Sequence, residues 1–216
     1  MRSILVVNAK GGCGKSTIAT NLAAYYAIKG KSVVLADYDP QESSLDWLAE
    51  RPADRAKITG IAAHRDGLRV PKNTDYLIMD SPAALHGRPL AQLVRRADAI
   101  LMPVLPSPID ERAAARFLVE IKNLRRVVNS EVRVATIANR VRDNTLAAGS
   151  LYEFMGDLKL PDGKKMWHLA ALRLSQNYIR AAERGLSIFE FAPVKTLPDR
   201  EQWARTIRWL ASIENR

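Results

Sequence analysis

The stretch that decides the fold lies near the start of the chain and reads Ile4-Leu5-Val6-Val7-Asn8-Ala9-Lys10-Gly11-Gly12-Cys13-Gly14-Lys15-Ser16-Thr17. Its aliphatic and β-branched beginning predicts a buried parallel strand. A glycine-rich turn follows, and a helix is expected over residues 16–28, ended by Gly30. Strand, glycine turn, Gly-Lys-Ser and helix in this order are what a phosphate-binding loop requires. The glycines let backbone N–H groups curl around an anion, and the helix N-terminus adds its dipole.

The polar side chains of this loop have separate expected tasks. Lys15 would reach the β- and γ-phosphates of a nucleotide, and the Ser16 hydroxyl would ligate Mg²⁺. The remaining nucleotide-binding positions are Gly11, Gly12, Cys13, Gly14 and Thr17. The loop departs from the general pattern, which has glycine where Ala9 stands, and a second lysine, Lys10, precedes its glycine pair.

The segment Lys10-Gly-Gly-Cys-Gly-Lys15-Ser-Thr resembles the deviant Walker A box of the ParA/MinD family of P-loop ATPases. The resemblance implies that ATP and Mg²⁺ are the cofactors. It also implies that Lys10 is a signature lysine, which reaches across a dimer interface to the nucleotide of the partner. Lys10, Lys15 and a switch aspartate described below are therefore the expected catalytic residues.

Two further segments place carboxylates at the expected ends of buried strands, where ligands of a parallel sheet bind. A strand over 31–37 ends in Asp37-Tyr38-Asp39-Pro40-Gln41, and a second apolar strand ends at Asp80. The first segment resembles the switch I of the family and the second its Walker B strand. The resemblance implies that Asp39 positions the attacking water, and that Asp37 and Asp80 hold the shell of Mg²⁺ together with Ser16. After Asp80, Pro82 matches switch II of the family, whereas its second proline is replaced by alanine.

Apolar segments continue to alternate with helical ones downstream. Strands are predicted over 97–105 and 132–138, and helices over 109–128 and 145–158. This alternation predicts an α/β fold, a doubly wound and mainly parallel sheet with helices on both faces. The resemblance assigns the same P-loop fold, and it implies that Asn139, expected at the end of a strand, contacts the adenine.

The pattern weakens after residue 158. A helix is predicted over 173–184, a short strand over 187–191 and a final helix over 199–213. No repeat or linker composition separates this part from the rest. We therefore expect a single ATPase domain over residues 1–216.

Composition limits the classes of function. The single cysteine, Cys13, excludes a disulfide within the chain and fits a reducing cytoplasm. It also argues against a bridging iron–sulfur cluster, and so against the nitrogenase iron protein, which has a similar loop. No apolar run approaches the ~20 residues of a membrane span. No signal peptide is expected, because the chain begins directly with the strand.

Charge is distributed unevenly along a chain with a net charge of +10 and a pI of about 9.9. Residues 1–111 hold 14 Lys/Arg and 12 Asp/Glu, whereas residues 112–216 hold 19 and 11. A basic C-terminal half indicates a polyanionic partner. A GC-rich genome, whose proteins are ordinarily rich in arginine, would give the same composition without such a partner.

The leading hypothesis is a small ParA-type ATPase without the N-terminal DNA-reading arm of larger partition proteins. The resemblance implies an ATP-dependent sandwich dimer that binds DNA non-specifically in the nucleoid and is activated by an adaptor or ParB-like protein. Its cargo would be a plasmid, a chromosome origin, a carboxysome or a chemoreceptor cluster. The arginines expected to contact DNA phosphates are Arg140, Arg142, Arg173, Arg180, Arg205 and Arg208.

Two alternatives stay open. One is a membrane-cycling ATPase like MinD, whose subgroup ends in a basic amphipathic helix. The last helix here carries Trp203, Trp209 and Leu210, but we expect it to be a core helix and expect no membrane partner. The other is a metabolic P-loop enzyme related to dethiobiotin synthetase, which would act on a small molecule and ignore DNA.

Overall fold

The computed structural model describes residues 1–213 and contains one seven-stranded sheet in that range. The strand order is β3-β2-β4-β1-β5-β6-β7, and every adjacent pair in the sheet is parallel. The strands are β1 (Arg2–Val6), β2 (Val33–Asp37), β3 (Thr59–Ala62), β4 (Tyr76–Asp80), β5 (Ala99–Val104), β6 (Arg133–Val141) and β7 (Trp167–Arg173). All carboxyl ends therefore meet at one edge of the sheet, which is where the candidate site lies.

Helices connect the strands and cover the sheet. The helices are α1 (Lys15–Ile28), α2 (Ser43–Ala49), α3 (Ala63–Asp66), α4 (Gly87–Val94), α5 (Pro108–Lys122), α6 (Arg125–Val128), α7 (Leu146–Asp157), α8 (Gln176–Ala182), α9 (Leu197–Glu201) and α10 (Ala204–Ala211). The predicted doubly wound α/β fold is confirmed. The predicted domain range includes residues 214–216, which lie outside the described part of the chain.

Two hydrophobic clusters occupy the two faces of the sheet, because successive side chains of a strand point to opposite sides. Leu5 and Val7 belong to the cluster that also contains buried residues of α4, α5 and α7. Ile4 and Val6 belong to the other cluster, with buried residues of α1, α2 and α10. The helices therefore cover both faces, as predicted.

The prediction was wrong at the start of the helix placed over 173–184. Residues 167–173 form β7, an edge strand that the sequence interpretation missed, and Arg173 is its last residue. The helix begins only at α8, where the Ser175 side chain caps it by accepting a hydrogen bond from the Asn177 N–H. Leu169 and Leu172 are buried, which explains why this short segment adds to the sheet.

Three other segments also differ from the prediction. Residues 187–191 form a turn and not a strand, because the Ser187 carbonyl accepts bonds from the N–H groups of Glu190 and Phe191. The helix expected over 109–128 is interrupted after α5 and resumes as α6. The final helix, expected over 199–213, is divided into α9 and α10.

Candidate nucleotide site

The loop between β1 and α1 has the conformation that its glycines predict. Gly12 and Gly14 have φ values of 73° and 93°, in the left-handed region. A Cβ on Gly14 would lie 2.2 Å from the Asn139 Nδ2 atom, so a larger residue would collide with that side chain. The Asn139 amide donates a 2.7 Å hydrogen bond to the Cys13 carbonyl. Asn139 lies within β6, two residues before its end, so its hydrogen bond attaches the loop to this strand.

A second asparagine holds the beginning of the loop. The Asn8 amide donates a 2.7 Å hydrogen bond to the carbonyl of Pro103 in β5, and its side-chain oxygen accepts from the Lys10 N–H at 3.2 Å. Asn8 is 2 % exposed. The loop is thus fixed to the two strands that follow β1 on that side of the sheet, β5 through Asn8 and β6 through Asn139. The sequence interpretation did not assign a role to Asn8.

The two lysines of the loop differ in their surroundings. Lys15 is buried, and its Nζ donates to the Lys10 carbonyl at 3.2 Å, an atom that the Cys13 thiol also approaches at 3.2 Å. Burial raises the pKa of Cys13 above its usual value, although Lys15 opposes this. The Lys10 side chain makes no ion pair with residues 1–213, and it is not among the residues that line the cleft described below.

The two strand-end aspartates are neighbours, because Asp37 and Asp80 are paired in the register of β2 and β4. The buried Asp37 carboxylate accepts hydrogen bonds from the Asp39 N–H at 2.9 Å and from the Ser44 hydroxyl and N–H at 2.7 and 3.0 Å. Asp37 therefore shapes the turn that leads into α2. Neither oxygen of the buried Asp80 carboxylate has a hydrogen-bond partner.

The environment of Asp80 fits a cation. Desolvation by burial is the main reason why the pKa of the Asp80 carboxyl is raised from 3.8 to about 7. The Ser16 hydroxyl and the Lys15 ammonium lower this pKa, whereas the negative charges of Asp37 and Asp39 raise it. A buried carboxylate with two free oxygens beside a serine hydroxyl matches the hard oxygen ligands that Mg²⁺ prefers. Within residues 1–213 no cluster of three His, Cys, Asp or Glu side chains forms a metal cage. Mg²⁺ in phosphate sites is usually bound by few protein ligands together with phosphates and water.

A cleft of about 640 Å³ opens above the loop at the carboxyl edge of the sheet. Its lining includes Gly11, Gly12, Gly14, Lys15, Ser16, Thr17, Asp39, Gln41, Pro82, Ala83 and Arg140. Most of the predicted cofactor residues are thus brought together with the switch segment. An Asp39 carboxylate oxygen accepts from the Gln41 N–H at 3.0 Å, which holds this side chain in the turn.

A second cavity of about 410 Å³ adjoins the loop beside β6 and α8. Thr17, Asn139, Arg140 and Tyr178 contribute to its lining. Arg140 lines both cavities and has a φ of 55°, at a register irregularity between β6 and β7. Arg140 is predicted to contact DNA, and the structure places its exposed side chain at the cleft. A bulge that depends on pairing with a distant strand leaves no signal in a local pattern.

The other arginines predicted to contact DNA lie on several elements of the fold. Arg142 follows β6 at the carboxyl edge, Arg180 lies on α8, and Arg205 and Arg208 lie on α10. All four are exposed and form no ion pair with a described residue. Arg173 differs, because its guanidinium bonds both oxygens of the buried Asp199 carboxylate, which holds β7 to α9.

The last helix packs on the core. Trp203, Trp209 and Leu210 are at most 5 % exposed and belong to the cluster shared with α1 and the sheet. The prediction of a core helix is confirmed for the described residues. Among residues 1–213, no helix has the length and apolar character needed to cross a membrane.

Comparison with known proteins shows the family. Residues 4–188 match the model of the CobQ/CobB/MinD/ParA nucleotide binding domain. The chain is 29 % identical over 194 residues to the maintenance of carboxysome distribution protein A of Halothiobacillus neapolitanus, with 87 % of each chain covered.

Solved structures share the fold at low sequence identity. An ATP complex of an aspartate-to-alanine variant of Cyanothece McdA superposes with a TM-score of 0.68 at 17 % identity, over 95 % of this chain and 96 % of the other. The MinD cell division protein of Aquifex aeolicus gives 0.73 at 18 % identity, over 98 % of both chains. The chain therefore belongs to the CobQ/CobB/MinD/ParA nucleotide binding domain family, and it is an ATPase of the ParA/MinD type.

Proposed function

We propose that this ATPase forms an ATP-dependent sandwich dimer, binds DNA without sequence preference and positions a large cargo over the nucleoid. A carboxysome is the best-supported cargo, because the relative aligned over 87 % of both chains is named for carboxysome distribution. The observation that carries the proposal is the arrangement of the two loop lysines. Lys15 is buried at its own cleft, whereas the Lys10 side chain does not line that cleft.

The edge around the cleft favours association with a second copy. Ile109 at the start of α5 and Leu146 at the start of α7 are 63 % and 95 % exposed, and both helices begin at the carboxyl edge of the sheet. Exposed aliphatic side chains beside a nucleotide cleft are suited to burial in an interface. In such a dimer, Lys10 would reach the phosphates bound by the partner and add a positive charge to that site.

Hydrolysis would depend on residues that converge at the cleft. We assign water positioning to Asp39, phosphate contact to Lys15 and the shell of Mg²⁺ to Ser16, Asp80 and Asp37. When bound, Mg²⁺ would neutralise part of the phosphate charge. Because Asp37 fixes the turn that carries Asp39, it would also set the position of the side chain that orients water.

Among the six arginines predicted to contact DNA, we assign the contact to those that are exposed and that no acidic side chain engages. Arg180, Arg205 and Arg208 meet this criterion, and Arg142 meets it at the edge near the cleft. We do not assign DNA contact to Arg140, because it lines the nucleotide cleft. We also do not assign it to Arg173, because the carboxylate of Asp199 holds its guanidinium. An adaptor or ParB-like partner would stimulate hydrolysis and release the dimer from DNA.

One experiment tests the proposal in two parts. Sedimentation with ATP measures dimer formation, and a mobility shift with random-sequence DNA measures binding with ATP, ADP or no nucleotide. We expect a dimer and a DNA shift with ATP alone. Lys15→Ala is the control, because it removes the cation nearest the phosphates. A chain that stays monomeric with ATP, or binds DNA equally without it, contradicts the proposal.

The membrane-cycling alternative is less well supported. The apolar residues of α10 are buried in the core and are not available to a lipid surface in this arrangement. Flotation with anionic vesicles in the presence of ATP separates the two functions, because retention on vesicles without any DNA shift favours membrane cycling.

A further inference from the structure

A β-bulge in β6 lies beside the phosphate-binding loop. Between Ala138 and Val141, β6 contains two residues, Asn139 and Arg140, where the paired stretch of β7 contains only one. Such a bulge bends a strand and redirects its side chains, and bulges are frequent beside active sites. A hydrogen bond joins this bulge directly to the loop, which makes both of its residues candidates for roles in the nucleotide site.

The two residues of the bulge differ in burial and in contacts. Asn139 is buried, and its amide is already bonded to the Cys13 carbonyl. Arg140 is exposed between two buried neighbours, and it has a φ of 55°, which is uncommon for a residue other than glycine. Backbone strain of this kind persists only where the surrounding structure imposes it, and it is concentrated at binding sites and active sites. The bulge therefore holds Arg140 at the cleft and not in the core.

Arg140 lies where two cavities meet. The cleft of about 640 Å³ above the loop and the adjoining cavity of about 410 Å³ beside α8 have only Thr17 and Arg140 in common among the described residues that line them. The cleft contains Lys15, which is expected at the β- and γ-phosphates. When the phosphates occupy the cleft and the nucleoside extends into the adjoining cavity, the α-phosphate that joins them lies at this passage.

The charge of Arg140 is available at the passage. No acidic side chain among residues 1–213 forms an ion pair with it, although Glu183 lines the adjoining cavity. A guanidinium presents N–H donors in a planar fork that matches two oxygens of a phosphate. An unpaired, exposed arginine is ordinary by itself. Arg140 differs because a bulge, a left-handed backbone and the passage between two cavities coincide at one residue.

We propose that Arg140 binds the α-phosphate of the nucleotide in its own subunit and so fixes the phosphate chain relative to the nucleoside. The contact requires only the nucleotide site, and neither the dimer nor DNA takes part in it. ADP carries the same α-phosphate as ATP, so the contact can be measured on the full chain with ADP, without DNA and without an ATP-dependent dimer. A failure of the proposed positioning function would therefore leave this test unaffected.

Calorimetric titration of the full chain with ADP and with ATP tests the contact. Arg140→Gln removes the charge and the fork, and it should weaken the affinity for both nucleotides by about tenfold or more, because charge-assisted hydrogen bonds are lost. Arg88→Gln, at an exposed arginine on α4, is the matched control and should bind as the wild type does. An unchanged affinity of Arg140→Gln for ADP overturns the proposal.

A second variant separates the contact from the shape of the bulge. Arg140→Gly removes the side chain, and glycine adopts a left-handed backbone without strain. This variant should lose ADP affinity to the same extent as Arg140→Gln, while circular dichroism and urea denaturation verify that it folds. Wild-type ADP affinity in the folded glycine variant also contradicts the proposal, because the bulge would then act without the guanidinium.

Phosphorothioate analogues identify the phosphate that Arg140 binds. ADPαS and ADPβS carry one sulfur, a weaker hydrogen-bond acceptor than oxygen, on the α- and the β-phosphate respectively. At least one diastereomer of ADPαS should bind the wild type more weakly than ADP does, and Arg140→Gln should reduce this difference. The difference between ADPβS and ADP should be equal in the two proteins. A reduction for ADPβS alone, or for neither analogue, refutes the assignment to the α-phosphate.

A mobility shift with random-sequence DNA at saturating ATP separates this role from the DNA contact predicted for Arg140. Arg140→Gln should bind DNA as the wild type does, because saturating ATP compensates for weaker nucleotide binding. Weaker DNA binding together with wild-type affinity for ADP would return Arg140 to the DNA surface and overturn the proposal.

Discussion

Asp37 and Asp80 are paired across β2 and β4, yet their carboxylates are in opposite hydrogen-bonding states. The Asp37 oxygens accept bonds from the backbone and hydroxyl of Ser44 and from the Asp39 N–H, whereas both Asp80 oxygens are buried without a partner. One aspartate therefore builds the switch turn, and the other is left available for a cation. This difference between the two carboxylates is the basis of the first prediction.

Asp80→Asn should change how the stability of the nucleotide-free protein depends on pH. Burial raises the folded-state pKa of Asp80 from 3.8 to about 7, so the folded state holds a proton that the unfolded state has released. The protonated Asp80 carboxyl therefore contributes fully to the free energy of unfolding below about pH 4. Between about pH 4 and pH 7 this contribution falls by about 1.4 kcal/mol per pH unit, and it is lost once the pH has risen through 7. The asparagine variant should lack that loss and be more stable than the wild type at pH 8.

Urea denaturation from pH 4 to pH 8 measures this difference. Asp54→Asn, at an exposed carboxylate, is the matched control. Parallel stability curves for the wild type and Asp80→Asn would contradict the prediction. The same variant should also lose Mg²⁺-dependent ATP hydrolysis.

Gly14→Ala should destabilise the loop and abolish nucleotide binding. A left-handed backbone costs a non-glycine residue about 1–2 kcal/mol. The added methyl group would also displace the Asn139 amide, which leaves buried groups unpaired at a further cost of about 1–3 kcal/mol. Gly163→Ala is the control, because Gly163 is left-handed too but no atom lies near its Cβ position. Equal losses of stability would show that the contact with Asn139 is unimportant.

Asp39→Ala should bind ATP and dimerise but fail to turn over. The change leaves the phosphate loop intact and removes the side chain assigned to water, so the hydrolysis rate should fall by about a hundredfold or more. Single-turnover ATP hydrolysis and equilibrium binding of ATP separate the two effects, with Asp46→Ala on α2 as the control. Hydrolysis at the wild-type rate would move catalysis away from the switch.

Lys10 should act on the nucleotide of the partner, and complementation tests this directly. We expect Lys10→Ala to bind ATP but to lack the lysine that contacts the nucleotide of the partner. We expect Lys15→Ala to retain that lysine but to be unable to bind ATP. Each variant alone should be inactive. A mixture should recover part of the activity, because one site of the mixed dimer would have both an intact loop and an intact Lys10. Absence of recovery, with mixed dimers verified by sedimentation, would place Lys10 in its own subunit's site.

DNA binding should depend on the free arginines of α10. Replacing Arg205 and Arg208 by glutamine should weaken binding of any sequence and reduce the salt dependence, by roughly 0.9 in the logarithmic slope for each phosphate that is no longer neutralised. Arg112 and Arg116 on α5 are an exposed pair with the same charge and serve as the control. Titrations at several salt concentrations measure the slope. Equal effects of the two pairs would mean that only net charge matters.

The parts of the fold that could be predicted from the sequence are those where local pattern and chemistry agree. The loop, the strand before it and the strand ending at Asp80 combine apolar runs with glycines or carboxylates at fixed offsets. β7 was missed because Trp167 to Arg173 mixes alanine and leucine, which suit a helix as well as an edge strand. The contact between Arg173 and Asp199 could not be predicted, because the two residues are 26 positions apart in the chain. Asn8 and Arg140 acquire their positions only from contacts with other strands.

The bond from Asn139 to the Cys13 carbonyl joins residues separated by 126 positions in the chain. We expect this bond to form only after β6 has joined the sheet, because contacts between residues far apart in the chain form slowly. A growing or truncated chain that lacks β6 would contain the whole phosphate-binding loop sequence but not the hydrogen bond that attaches the loop to this strand. ATP would then stabilise only chains whose sheet is assembled, by mass action on the folded state. Nucleotide binding would thereby depend on the completion of a part of the sheet that lies far from the loop in the sequence.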